Sequence, residues 1–436
     1  MDEAGMGLGL QAIIIIGIML FLLAIGTEIF AAIGAGALVG LILFLNQGSE
    51  HFALSMWNWV NSFTLTAVPL FIFMGAMLAH SGVIRLLFRG ADRIISFLPG
   101  GMAASSLLAS GVFGAISGSS IASVAAFGTS VLPEMERLGY KPSIAIGSVV
   151  MGGTLSVLIP PSVILIGYGA YMGLSIPRLF AAGLIPGIIL MLLYLITVII
   201  MATVRPDLCP PKVKYSFKEK LAGFLDITPA LFILAVTLGS IFGGIMTPTE
   251  AAALGGFLSI ILSLVFRKLN LTIVKESALT AVKTAAMLMP LIFIVKIMGY
   301  VFNYLGTTDA LAAFMASLPL GKYGILSVIF FIYILLGFIM EGISIMLLSL
   351  AFVAPILTML GFNFIWFGVI MVVVNELGLV TPPFGLNLFS LHAVVPKYSI
   401  FTIASAAVPF YPAVLILLTL CVVFPDIVLW LPFQLY

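Results

Sequence analysis

The sequence predicts an all-α polytopic membrane protein built from two copies of one unit set in opposite orientations, and three observations predict it. The 436 residues are 62% hydrophobic and 8% charged, with a mean hydropathy of +1.30; a soluble domain carries about 25% charged residues. Apolar runs long enough to span a bilayer, about 20 residues each, recur from one end to the other. The proline pattern of the first half returns in the second.

The repeat is read from spacing. Pro133, Leu138-Gly139, Pro160 and Pro161 recur 222 residues later as Pro355, Leu360-Gly361, Pro382 and Pro383. Upstream, Pro69-Leu70 pairs with Pro290-Leu291 and Leu98-Pro99 with Leu318-Pro319; downstream, Pro186 pairs with Pro409. Internal duplication is a signature of secondary transporters.

In the first half the apolar runs predict spans near 9–25, 28–46, 58–80, 142–174 and 179–204. A basic amphipathic stretch lies at 85–98, and 101–137 reads as a re-entrant hairpin of two half-length helices. The second half gives spans near 228–245, 250–266, 279–304, 363–395 and 400–424, a lateral segment at 306–318 and a hairpin at 322–360. Five crossings per copy is an odd number, so the copies must be inverted. Repeat one then covers 1–204, a cytoplasmic linker 205–227, and repeat two 228–436.

Charge gives a separate argument for orientation. With the 205–225 loop in the cytoplasm, fifteen of the eighteen basic residues fall on that side, as the positive-inside rule requires. The exceptions are Arg178, Lys296 and Lys322. Both termini are then outside the cytoplasm. The N-terminus opens Met1-Asp2-Glu3, acidic where a cleavable signal is basic.

Two features per repeat break the helical pattern. The hairpin tips are Gly114-Ala115-Ile116-Ser117-Gly118-Ser119-Ser120 and Gly337-Phe338-Ile339-Met340-Glu341-Gly342-Ile343-Ser344. The interrupted spans are Gly152-Gly153-Thr154-Leu155-Ser156-Val157-Leu158-Ile159-Pro160-Pro161-Ser162 and Asn375-Glu376-Leu377-Gly378-Leu379-Val380-Thr381-Pro382-Pro383-Phe384-Gly385. Proline removes a backbone donor and pushes the preceding residue out of the α region. Irregular backbone at membrane depth survives only in protein or beside a cavity. Freed carbonyls and hydroxyls suit a hard monovalent cation, and half-helix N-termini suit an anion. Two tips matched to two breaks imply two cation sites with an anionic solute between them. The competing reading is that the Gly/Ser tips only permit close helix packing.

Glu341, Glu376 and Lys296 are the clear charges at membrane depth, where charge is costly and usually functional. Glu341 can contact a cation, carry a proton or orient its tip. Lys296 can attract an anionic solute, pair with an acid or snorkel. Asn375 and Ser119 are further candidates for solute contact. Thr247-Pro248-Thr249-Glu250 reads as a capping box. Arg85, Arg89 and Arg93 fall on one face and read as interfacial anchors. Cys209 and Cys421 fit no metal or redox spacing, and His51, His80 and His392 no ligand spacing. The absence of a His/Asp/Glu cluster argues against an intramembrane enzyme, and paired tips suit alternating access better than an open channel.

Several stretches resemble the large membrane subunit of tripartite ATP-independent periplasmic (TRAP) transporters. They include Pro69-Leu70-Phe71-Ile72-Phe73, Leu98-Pro99-Gly100-Gly101, Phe113-Gly114-Ala115-Ile116-Ser117-Gly118-Ser119, Ile159-Pro160-Pro161-Ser162, Thr247-Pro248-Thr249-Glu250-Ala251-Ala252, and Thr381-Pro382-Pro383 with Gly385 and Leu388-Phe389. The resemblance runs from about residue 8 to 433. It implies a sodium-driven, elevator-type importer of organic acid anions in the bacterial inner membrane. It also implies a small four-helix membrane subunit, a periplasmic solute-binding protein, lipid surroundings and no nucleic-acid partner. By resemblance, Ser117, Gly118, Ser119, Ser120, Gly153, Val157 and Pro160 form one sodium site. Gly342, Ser344, Gly378, Thr381 and Pro382 contribute to the other, so at least two sodium ions are expected. The family pattern has an aspartate where Glu341 stands. A self-sufficient sodium–dicarboxylate symporter of similar design is the alternative.

Overall fold

The computed structural model describes residues 3–45, 57, 63–211 and 214–435, and among them it is helical throughout. His51, Lys212, residue 46 of the second expected span and residues 58–62 of the third lie outside the described residues.

The chain opens with α1 (Glu3–Ala24) and α2 (Ile29–Val39), which runs on into a π-helical turn, Gly40–Phe44. After α3 (Ala67–His80) the chain turns through Gly82, at φ 85, into α4 (Val83–Ile95). A left-handed φ is open to glycine without steric cost. On α4 the apolar residues Val83, Ile84, Leu87, Phe88 and Ala91 are buried, which leaves the arginine face outward.

The next elements are α5 (Gly101–Ser117), α6 (Ser120–Ser130), α7 (Leu132–Arg137), α8 (Pro142–Thr154) with a 3-10 turn Leu155–Val157, α9 (Val163–Met172) and α10 (Ile176–Val204). The second half carries α11 (Phe217–Phe242), α12 (Pro248–Val265), α13 (Leu271–Tyr304), α14 (Thr307–Ser317), α15 (Gly321–Gly337), α16 (Gly342–Leu360), α17 (Phe364–Leu379) and α18 (Leu386–Val394). The chain closes with α19 (Ile400–Ala407), α20 (Tyr411–Val423) and α21 (Asp426–Leu435). Among the described residues seven helical stretches are long and apolar enough to cross a bilayer: Phe63–His80, Ile176–Val204, Phe217–Phe242, Pro248–Val265, Leu271–Tyr304, Gly342–Leu360 and Ile400–Val423.

Three boundaries differ from the sequence reading. The first hairpin has three helices rather than two, because Pro133 at the start of α7 has no N–H to continue α6. The 205–227 linker is half helical: Ser216 and Glu219 form a capping box that starts α11 at Phe217. One arm of the second hairpin, α16, is itself 19 residues long and runs through Pro355. The capping box at Thr247 and Glu250 is present as expected and opens α12.

Lipid is as apolar as leucine, so helices associate through close packing and polar contacts rather than by the hydrophobic effect. The glycines show where. A Cβ on Gly90 of α4 would stand 2.5 Å from the Gly223 carbonyl oxygen of α11. Over that crossing, Arg89 donates two hydrogen bonds to Asp226 at 2.9 and 2.8 Å, and Arg93 donates a third at 3.1 Å. Two of the three arginines expected as surface anchors therefore also dock α4 onto α11. Nearby, Tyr215 donates to Asp92 at 2.8 Å. Burial lifts the Asp92 carboxyl above its ordinary range, against the opposing pull of Tyr215 and Arg93.

Candidate functional site

Both hairpin tips and both interrupted spans converge on one region. In the first tip, α5 ends at Ser117, Gly118 turns the chain at φ 62, and Ser119 caps α6 by accepting from the Ala122 N–H. In the second, Glu341 occupies the corresponding cap position before α16, with no side-chain cap bond. Each interrupted span stops at its double proline, and the Pro160–Pro161 and Pro382–Pro383 peptides are both cis. Beyond the first break, Ser162 caps α9 by accepting from the Leu165 N–H.

Tips and breaks fit together through small residues. A Cβ on Gly114 would stand 2.4 Å from the Ser156 Cα, and one on Gly153 would stand 3.1 Å from the Ser120 carbonyl oxygen. A Cβ on Gly118 would meet the Pro161 carbonyl oxygen at 3.1 Å. In the second half, Gly337 and Gly378 make the corresponding close approach. A hydroxyl chain joins the first tip to its break: Ser117 and Ser123 lie 3.0 Å apart, and Ser156 donates to Ser123 at 2.8 Å.

Several hydrogen bonds among the described residues cross between the halves, three of them at or behind the tips and breaks. Ser120 donates to the Glu376 carboxylate at 3.1 Å. Ser390 of α18 donates to the Ile121 carbonyl at 3.0 Å, and Tyr168 of α9 donates to the Phe364 carbonyl at 2.7 Å. The other Glu376 oxygen accepts from Asn387 at 3.4 Å. Glu376 is 4% exposed and Asn387 fully buried. Asn375, also fully buried, donates to the Gly342 carbonyl at 3.3 Å.

A cavity of about 260 Å³ lies between the tips. Of the residues singled out from sequence, Ser117, Gly118, Ser119, Ser120, Val157, Glu341, Gly342 and Glu376 line it. Gly153, Asn375 and Gly378 stand behind this lining, packed against hairpin residues. Ser344 lies buried in the first turn of α16, where its N–H donates to the Glu341 carbonyl. Thr381 turns its hydroxyl back to the Leu377 carbonyl at 2.5 Å. Pro160 and Pro382 shape the backbone at the breaks and do not line the cavity. Lys296 does not line it either: its ammonium lies 4.3 Å from the centre of the Tyr171 ring, a cation–π contact.

The opposite wall holds residues that sequence reasoning did not place at a site, His80 among them because it shows no ligand spacing. His80 at the end of α3 and Thr280 and Thr284 of α13 line the cavity. Asn387 and Ser123, the partner of Ser156 in the first break, were missed as well. Little in local sequence marks them, because each matters through the partner the fold brings to it or through the wall it happens to face. Among the described residues the cavity's ionisable side chains are His80, Glu341 and Glu376, and no lysine or arginine lines it. An anion entering a space lined by two acidic side chains meets repulsion wherever these are ionised, and low dielectric magnifies it.

Comparison with known proteins follows the same line. The family model described as "Tripartite ATP-independent periplasmic transporter, DctM component" matches residues 16–427. The chain is 34% identical over 402 residues to the C4-dicarboxylate TRAP transporter large permease protein DctM of Pseudomonas aeruginosa, covering 92% of this chain and 93% of that one. It is 31% identical over 377 residues to the isethionate TRAP transporter permease protein DctMQ of Oleidesulfovibrio alaskensis, covering 86% of this chain and 59% of that one. The solved structure of the YdaH transporter of Alcanivorax borkumensis shares the fold, with a TM-score of 0.56 at 14% identity over 88% of each chain.

Proposed function

The chain belongs to the DctM component family of tripartite ATP-independent periplasmic transporters, and we propose that it imports a small organic acid anion together with sodium ions. It is a large permease subunit, a multi-pass membrane protein and not an enzyme. The family works with a small membrane subunit and a periplasmic solute-binding protein. Isethionate and C4-dicarboxylates, named for two relatives, support a compact anion carrying carboxylate or sulfonate as the solute class.

The observation that carries the proposal is the cavity's charge. Among the described residues two glutamates and no lysine or arginine line it, so in this reading an anionic solute needs co-bound cations. The hydroxyls and backbone at each tip and break offer hard oxygen ligands of the kind a sodium ion takes. One site is assigned to the first tip and break, around Ser117, Ser119, Ser120 and Val157. The other is assigned to the second, around Gly342, Ser344, Gly378 and Thr381.

The same helix order recurs in the two halves, hairpin then interrupted span then long span. That recurrence and the basic-residue distribution support two inverted repeats, with the central loop cytoplasmic and both termini periplasmic. The hydrogen bonds from Ser120 to Glu376 and from Ser390 to Ile121 tie tip and breaks into one body. An elevator motion would carry that body past the wall formed by α3 and α13.

Dependence on partners separates this proposal from a self-sufficient symporter. Uptake of radiolabelled C4-dicarboxylates and short sulfonates is measured in cells expressing this chain with or without its small subunit and binding protein. Uptake only in the complete system is expected. Equal uptake by this chain alone would replace the proposal with the self-sufficient one.

A further inference from the structure

Glu376 is the one acidic side chain within the interrupted span of the second half, and one of its two hydrogen bonds comes from the first half, from Ser120. We infer that Glu376 is a positioning residue that serves both cation sites at once and makes their occupancy cooperative. The inference rests on the sodium-coupled reading given above.

The geometry supplies the mechanism. A serine hydroxyl ligates a cation through an oxygen lone pair, so its proton must point elsewhere. Ser120 sits at the first tip and sends its proton to Glu376 Oε1 at 3.1 Å. The carboxylate therefore holds the Ser120 lone pairs free for the cavity side and raises their electron density, as ionised acceptors do. On the other side, Glu376 follows directly after Asn375, which binds the Gly342 carbonyl at the second tip. Gly378, two residues further on, packs against Gly337 of the second hairpin. One buried carboxylate thus touches the first tip through Ser120 and shares a helix with the residues that hold the second.

Burial gives this arrangement its force. Glu376 is 4% exposed, and the two donors it faces, Ser120 and Asn387, are neutral. A buried carboxylate held only by neutral donors is costly, and a cation arriving at either site relieves that cost. Asn387 and Asn375 each have a buried side-chain oxygen that accepts no hydrogen bond, so further acceptors in this cluster await a cation or a donor. The first cation to bind draws Ser120 and Glu376 into a fixed geometry, and the second finds the carboxylate already placed.

The test is sodium-dependent thermal stability of the purified full chain, read by tryptophan fluorescence, with choline chloride holding ionic strength constant. Wild type is expected to gain Tm cooperatively with sodium. In Glu376→Gln the sodium curve should move roughly 5- to 150-fold higher in concentration, the usual range of coupling between sites, and lose its cooperativity. In choline the Gln variant should be as stable as wild type or more so, because a neutral group is easier to bury; a purely structural role predicts the reverse. Glu376→Asp keeps the charge but shortens its reach to Ser120, and should shift the curve in the same direction by less. A wild-type Tm indifferent to sodium would overturn the sodium reading and this inference with it. A cooperative, unshifted curve in both variants, or equal destabilisation in sodium and choline, would overturn the inference alone.

Discussion

Gly337 and Gly378 meet backbone to backbone: a Cβ on Gly337 would stand 2.8 Å from the Gly378 Cα, and one on Gly378 would stand 2.9 Å from the Gly337 Cα. The first half makes the corresponding contact between Gly114 and Ser156, 222 positions before Gly378 at its second member. Side chains are excluded where hairpin meets interrupted span. Gly337→Ala and Gly378→Ala should each cost about 1–3 kcal/mol through overpacking and lower the Tm in detergent. Gly239→Ala, where nothing lies within 4 Å of the added carbon, is the control and should be neutral or slightly stabilising. Equal behaviour of the three variants would contradict the packing.

The docking of α4 on α11 rests on Asp226. Its partners differ in exposure: the Arg89 side chain is 54% exposed and that of Arg93 28%, so solvent weakens the first pair. Asp226→Asn should cost about 1 kcal/mol after that discount. The gap from wild type should narrow at high salt, because screening already weakens the wild-type pairs. Thermal melts at low and high salt measure it, and a salt-independent gap would speak against ion pairing as the cause.

Asp92 carries a pH signature. Its folded-state pKa lies above the ordinary value of 3.8, chiefly through burial. The stability it contributes is present below that ordinary value and lost as pH rises through the folded one. Asp92→Asn, which cannot ionise, should gain on wild type as pH climbs from about 4 toward neutral. Melting curves across that range check the sign, and a gap that shrinks with rising pH would be the wrong one.

Cys209 should be a slow thiol. Burial pushes it up to about 11, and the reactive species is the thiolate. Maleimide labelling at neutral pH should lag far behind the same thiol in the denatured chain, and should quicken about tenfold per pH unit on the way up. Mass spectrometry of the 209 peptide reads the rate. Labelling as fast as in the denatured chain would mean the linker does not cover this residue.

The helical membrane architecture was legible from composition, from apolar run length and from the proline echo. These signals are local or periodic, and the bilayer leaves few alternatives to helices. Boundaries set by short chemistry were less visible. The Ser216–Glu219 capping box that extends α11 sits inside a stretch whose basic residues dominated the reading. Candidate site residues at the tips could be named because glycine, serine and proline mark broken helices. His80, Thr280 and Thr284 could not, since what distinguishes them is the wall they face, and Asn387 could not, since it acts through its bond to Glu376. The Ser120–Glu376 bond joins positions 256 apart, and no sequence pattern links them. Lys296 shows the converse: a conspicuous charge at membrane depth that the fold uses over the Tyr171 ring.

The most direct test of the central claim is solute uptake into vesicles holding this chain and its small membrane subunit, driven by the loaded binding protein. An inward sodium gradient should drive accumulation, and replacing sodium by choline should abolish it. Accumulation of the same extent and rate in choline would contradict sodium coupling.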